Sequence, residues 1–160
     1  MISYVIVFTL LIVGVIIWQL SSKKRFLRLS YQELPELVLS ILISKKERKI
    51  DKFIIGVIGK KEIEIQELKI ELISDKREFT YIQSNELADT RTYPIKINNS
   101  ESLDIDYSYD KLKDMITTKA SNLHSFRIVL ELGNNKVYKS HELKFDKLWK
   151  IYRSDTGRYN

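Results

Sequence analysis

Cysteine is absent from this 160-residue chain. That excludes a disulfide framework, a thiolate metal site and a cysteine nucleophile. Proline and glycine are scarce, at two and five residues, which argues against a long flexible linker or a low-complexity tail. Only two histidines occur, His124 and His141, and neither has a second histidine or a cysteine at zinc-ligand spacing. Ser140 beside His141 is adjacency without an orienting acid, and there is no G-x-S-x-G elbow. No glycine-rich run of the P-loop or dinucleotide type exists to cradle a phosphate. These gaps lead to the expectation of a protein that is not an enzyme, has no cofactor and takes no small-molecule substrate.

Charge is also missing from the start of the chain. Residues 2–20, ISYVIVFTLLIVGVIIWQL, contain no charged side chain and are mostly Val, Ile and Leu. As a helix they would extend about 28 Å, close to the hydrocarbon thickness of a bilayer. Tyr4 and Trp18 sit near the ends, at headgroup level, and Lys23, Lys24, Arg25 and Arg28 follow. No basic residue precedes the run and no small-residue cleavage site ends it, so the sequence predicts an uncleaved transmembrane anchor over 1–21. Residues 22–35 read as a basic juxtamembrane segment, either a short interfacial helix or a plain linker. The positive-inside rule then places the rest of the chain in the cytosol at the cell (plasma or inner) membrane. Long C-terminal domains also translocate, so the extracytoplasmic side stays open.

The net charge of +6 is unevenly distributed. Residues 21–60 carry ten Lys/Arg against four Asp/Glu, whereas residues 61–160 carry seventeen of each sign. All of the excess therefore lies just beyond the apolar run. That placement suits anionic lipid headgroups or a protein partner better than nucleic acid, since no aromatics interleave the basic run until Phe53. Lys45, Lys46, Arg48, Lys49 and Lys52 form the candidate contact surface, with the sheet edge around Pro94 as another.

From residue 36 the texture is β. LVLSILI (37–43) and FIIGVI (53–58) are short apolar runs bounded by charged turns. Ile63 and Ile65 alternate with polar residues, and the alternation resumes one residue out of phase at Leu68, Ile70 and Leu72. Such a slip turns side chains to the opposite face, so either a β-bulge near Gln66–Glu67 or a bend between two sheets is expected. Leu103, Ile105, Tyr107 and Tyr109 alternate with Asp104, Asp106 and Ser108, and residues 110–119 have helical spacing. Phe126, Ile128, Leu130 and Leu132 precede Gly133-Asn134-Asn135-Lys136, the best hairpin signal in the chain. About eight short strands and one short helix predict an antiparallel β-sandwich over 36–152, with a frayed C-terminus at 153–160.

The bulged strand, the acidic strand leading to a short helix, and the final hairpin FRIVLELGNNKVYKS (126–140) resemble small bacterial immunoglobulin-like modules, over residues 61–140. The expected fold class is thus mainly β: a single transmembrane helix followed by an immunoglobulin-like β-sandwich with one short helix. No Cys…Trp…Cys core is present, which excludes the antibody type. The resemblance implies a binding or scaffold role and assigns no functional residue.

Asp104, Asp106 and Asp110 are the nearest approach to a carboxylate constellation. They could hold Ca²⁺, but the solvated face of a half-buried strand is the favoured reading. The expected function is a non-catalytic protein–protein interaction or scaffold module at the membrane. The alternatives are an accessory subunit of a larger membrane complex and, less favoured, an envelope enzyme.

Overall fold

The computed structural model describes residues 25–46, 49–87, 91–119, 122–146 and 148. In these, β1 (Arg25–Glu33), β2 (Leu37–Lys46), β3 (Lys49–Gly59) and β7 (Ser102–Ser108) form one antiparallel sheet in the order β1-β2-β3-β7. The second sheet has the order β10-β8-β4-β5, built from β4 (Ile63–Ser74), β5 (Phe79–Gln83), β8 (Leu123–Leu132) and β10 (Leu143–Lys144). Two short strands join its flanks, β6 (Ile95–Ile97) on β4 and β9 (Val137–Lys139) on β8. A 3₁₀ turn (Ser84–Leu87) follows β5, and helix α1 (Tyr109–Lys119) links β7 to β8.

Period-two alternation builds the core between the sheets. Leu39, Ile41 and Ile43 of β2 and Phe53, Ile55 and Val57 of β3 point inward from one layer. Leu68, Ile70 and Leu72 of β4 and Phe126, Ile128 and Leu130 of β8 come from the other and join the same cluster. Phe53 meets Phe126 edge-on at 5.8 Å between ring centroids, a favoured aromatic geometry that ties the layers together. Helix α1 closes one end, burying Tyr109 and Leu112 and packing Met115 and Ile116 against the cluster.

The phase slip in β4 is resolved by a bulge. The register with β8 shifts between Ile65 and Glu67, so one continuous strand keeps Ile63, Ile65, Leu68, Ile70 and Leu72 all buried. The Gly133–Lys136 turn is also as expected: the Lys136 carbonyl accepts from Leu132 N–H at 2.8 Å, and Asn135 takes a φ of 61°.

The expected fold class needs correction. The described chain is mainly β, with two antiparallel sheets and one short helix, and among the described residues no helix is long and apolar enough to cross a membrane. The span expected over 1–21, with Tyr4 and Trp18, lies outside the described residues, as do Lys23, Lys24 and the C-terminal stretch 153–160.

The segment 22–35 is corrected too. From Arg25 onward it is neither an interfacial helix nor a linker but the edge strand β1, paired with β2 from Arg25↔Lys45 to Glu33↔Val38. Its apolar residues, Phe26, Leu27, Leu29 and Tyr31, fit a strand once β2 supplies the ladder. A bulge between Arg28 and Ser30 lets Leu29 reach the core. The sheet unit begins at 25 rather than 36.

Candidate functional site

The basic residues singled out from the sequence lie around one hairpin, but not as a turn. Lys45 and Lys46 end β2, and Lys49 and Lys52 belong to β3; Arg48 lies outside the described residues. Lys52 is engaged across the sheet by Asp106 of β7, which holds the Asp106 carboxyl below its usual range. Arg28, on β1, stacks over the Tyr31 ring at 5.1 Å.

The acidic constellation does not assemble. Asp104 and Asp106 project from the outer face of β7, and Asp106 is occupied by Lys52. Asp110 sits exposed in the first turn of α1. Among the described residues no group of three or more His, Cys, Asp or Glu could hold a metal ion. His124 lies 3.4 Å from Asp75, and the backbone N–H of His141 donates to Gln32 at 3.0 Å. Pro94 stands exposed just before β6, whose three residues pair with β4.

Two buried carboxylates escaped the sequence reading. Glu36, only 3% exposed, receives Lys136 at 2.5 Å and Lys61 at 2.8 Å, with Asn134 at 3.3 Å. Hydrogen bonds from Lys136 and Lys61 pull its carboxyl down to about 2. This carboxylate joins the start of β2 to the β8–β9 turn and lines a polar cleft of about 270 Å³ with Glu62, Glu64 and Gly133.

Glu71 is the second. It faces outward from β4 yet has no exposed surface. Burial alone would raise its carboxyl, but hydrogen bonds from Arg127, from Tyr81 at 2.8 Å and from Lys139 at 3.1 Å outweigh that and hold it low. The same network places two aromatic rings: Arg127 lies 5.8 Å from the centroid of Phe79, and Lys69 lies 5.4 Å from that of Tyr81. Phe79 (52% exposed), Tyr81 (39%) and Val137 (51%) therefore stand above a fixed layer of ion pairs on the outer face of β5-β4-β8-β9. The sequence signal for this face was slight, a Phe and a Tyr at alternate positions of a five-residue strand.

No protein-family model matches the chain, and no curated protein matches it. A solved structure described as Northeast Structural Genomics Consortium target SoR45 is similar over 76% of this chain and 80% of its own, at 7% identity and a TM-score of 0.31. A likeness at that score carries no argument about fold or function.

Proposed function

We propose that this chain is a non-catalytic protein–protein interaction or scaffold module that works at a membrane, associated with it through the apolar sequence of residues 2–20. The observation that carries the reading is the outer face of β5-β4-β8-β9. Its exposed aromatics are held by the Glu71 network before any partner arrives, so little side-chain freedom is lost on binding. Aromatic residues and arginine are the types enriched where protein surfaces meet.

The strand order supports the resemblance to immunoglobulin-like modules. Taking β2, β3, β4, β5, β7, β8 and β10 as A, B, C, C′, E, F and G gives A-B-E in one sheet and G-F-C-C′ in the other. The strand β1 is then an addition at the A edge. Modules of this architecture offer faces and edges to partners. The basic flank after residue 20 supports a cytosolic position.

The test is a detergent pull-down from host membranes with the full chain, wild type beside Phe79→Ala/Tyr81→Ala. A protein partner retained by the wild type and lost by the double variant, with the circular dichroism unchanged, is the expected outcome. Equal retention by both overturns the assignment of this face.

A further inference from the structure

The register of β1, β2 and β3 gathers basic residues and exposed apolar surface at one end of the four-stranded sheet. Arg25 pairs with Lys45, Phe26 pairs with Ser44, and Lys46 faces Lys49 across the last rung of the β2–β3 hairpin. Like charges directly opposite each other destabilise a ladder unless something neutralises them. Neither Lys46 nor Lys49 makes an ion pair with a described residue. Phe26 is 62% exposed and Leu27 41% exposed. As neighbours on a strand they point to opposite faces, so this end is apolar on both sides of the sheet.

The opposite end is different. There Lys60 pairs with Glu33 at 3.4 Å, Lys61 and Lys136 with Glu36, and Lys96 with Glu64 at 3.9 Å. The positive charge of the far end is neutralised within the protein, whereas at the basic end, where Asp106 takes Lys52, Lys46 and Lys49 are left for an outside counter-charge. The ten steps of β3 separate the two by about 33 Å.

The chain also enters at the basic end. Residues 1–24 join the sheet at Arg25, and five Cα steps from Leu20 reach at most about 18 Å. Any membrane that holds residues 2–20 lies within that distance of Arg25, which adjoins Phe26 and pairs with Lys45 of the hairpin.

The geometry points to this end as a lipid-docking surface, with Phe26 and Leu27 at the headgroup boundary and Lys46 and Lys49 on anionic headgroups. This rests on the membrane reading of residues 2–20 and deepens it. The tether alone leaves the domain free to tilt, whereas the second contact stands the sheets end-on to the bilayer. The face bearing Phe79 and Tyr81 then lies to the side, clear of lipid. The pairing of exposed aromatic and aliphatic groups with lysines beside a short tether favours a bilayer over an acidic polypeptide, which would not require the apolar pair.

The test uses the full chain, whose lack of cysteine allows clean single labels. Ser108→Cys marks the basic end, since Ser108 pairs with Lys52, and Asn99→Cys marks the far end. Energy transfer to dye-labelled lipid is measured in phosphatidylcholine vesicles with and without phosphatidylglycerol. Adding the anionic lipid raises transfer from the Ser108→Cys label and not from the Asn99→Cys label. Each basic residue near a charged surface favours the docked state by about fivefold, so Lys46→Gln/Lys49→Gln lowers the docked-to-free ratio about 25-fold. The far-end control Lys60→Gln leaves it unchanged.

Equal transfer from both labels, or transfer indifferent to lipid charge and to the double variant, overturns the docking surface. Flotation separates the two readings. Flotation with anionic vesicles alone removes residues 2–20 from membrane association and keeps the basic end as the lipid contact. Flotation with neither vesicle overturns both.

Discussion

Arg127 lies across Glu71 from the neighbouring strand and donates its Nε–H to the carboxylate, so an outward-pointing acid is sealed from solvent. A buried ion pair broken on one side leaves an uncompensated charge, a different matter from removing both partners.

Arg127→Ala should therefore destabilise the fold by about 3 kcal/mol, moderated by the hydrogen bonds that Tyr81 and Lys139 still donate. Arg127→Met with Glu71→Leu should cost far less than the single variant. Urea unfolding followed by circular dichroism measures both, and a double variant as unstable as Arg127→Ala would contradict the account.

Glu36 makes stability depend on acid pH. Its carboxyl is lowered in the folded state from 4.5 to about 2 by Lys136 and Lys61, so the folded state binds this proton less readily than the unfolded chain does. The stabilisation is whole above pH 4.5 and is lost as the pH falls toward 2. Glu36→Gln should flatten the wild-type loss of stability in that window and leave its neighbourhood at neutral pH the weaker for want of the ion pairs. Denaturant titrations at a series of pH values read the difference directly.

Two glycines should respond oppositely to alanine. A Cβ on Gly59 would meet the backbone carbonyl oxygens of Asn98 at 2.6 Å and Lys61 at 2.9 Å, and neither can move without shifting the chain. Gly59→Ala should cost about 1–3 kcal/mol, as overpacking does. At Gly133 the nearest atoms are side-chain ends of Gln66 and Glu64, both at 3.2 Å, which can swing aside. Thermal unfolding of Gly133→Ala should stay close to wild type.

Phe53→Ala removes a fully buried ring that touches Phe126 of the other sheet. A loss of about 3–5 kcal/mol is expected in equilibrium unfolding.

The β character of residues 63–72 and 126–132 was legible because half-buried strands impose an alternation that no helix imitates, and that of 37–43 and 53–58 because short β-branched apolar runs stand between charged turns. The bulge in β4 was legible for the same reason, since a parity error must be absorbed somewhere. The strand β1 was not, because arginines interleaved with Phe and Leu suit a membrane surface and a sheet edge equally well, and only the partner strand decides. Glu36 and Glu71 were hidden for a further reason. Each looks like an ordinary surface acid until distant residues arrive to cover it, Arg127 and Lys139 from 56 and 68 positions away for Glu71 and Lys136 from 100 for Glu36. The aromatic face depends on that covering, so it shared the same invisibility, whereas the basic hairpin was apparent from composition alone.

The strand β1 also decides how this protein can be cut. A soluble fragment beginning at 36 would strip the edge from β2 and leave the ten residues of Leu37–Lys46 with a bare row of amide and carbonyl groups. Naked edges of that length recruit other chains, so such a fragment would clump whatever the membrane contributes to the intact protein. Its insolubility would report an amputated strand, not a missing bilayer. Proteolysis should respect the same limit, with the shortest well-behaved piece starting no later than Arg25.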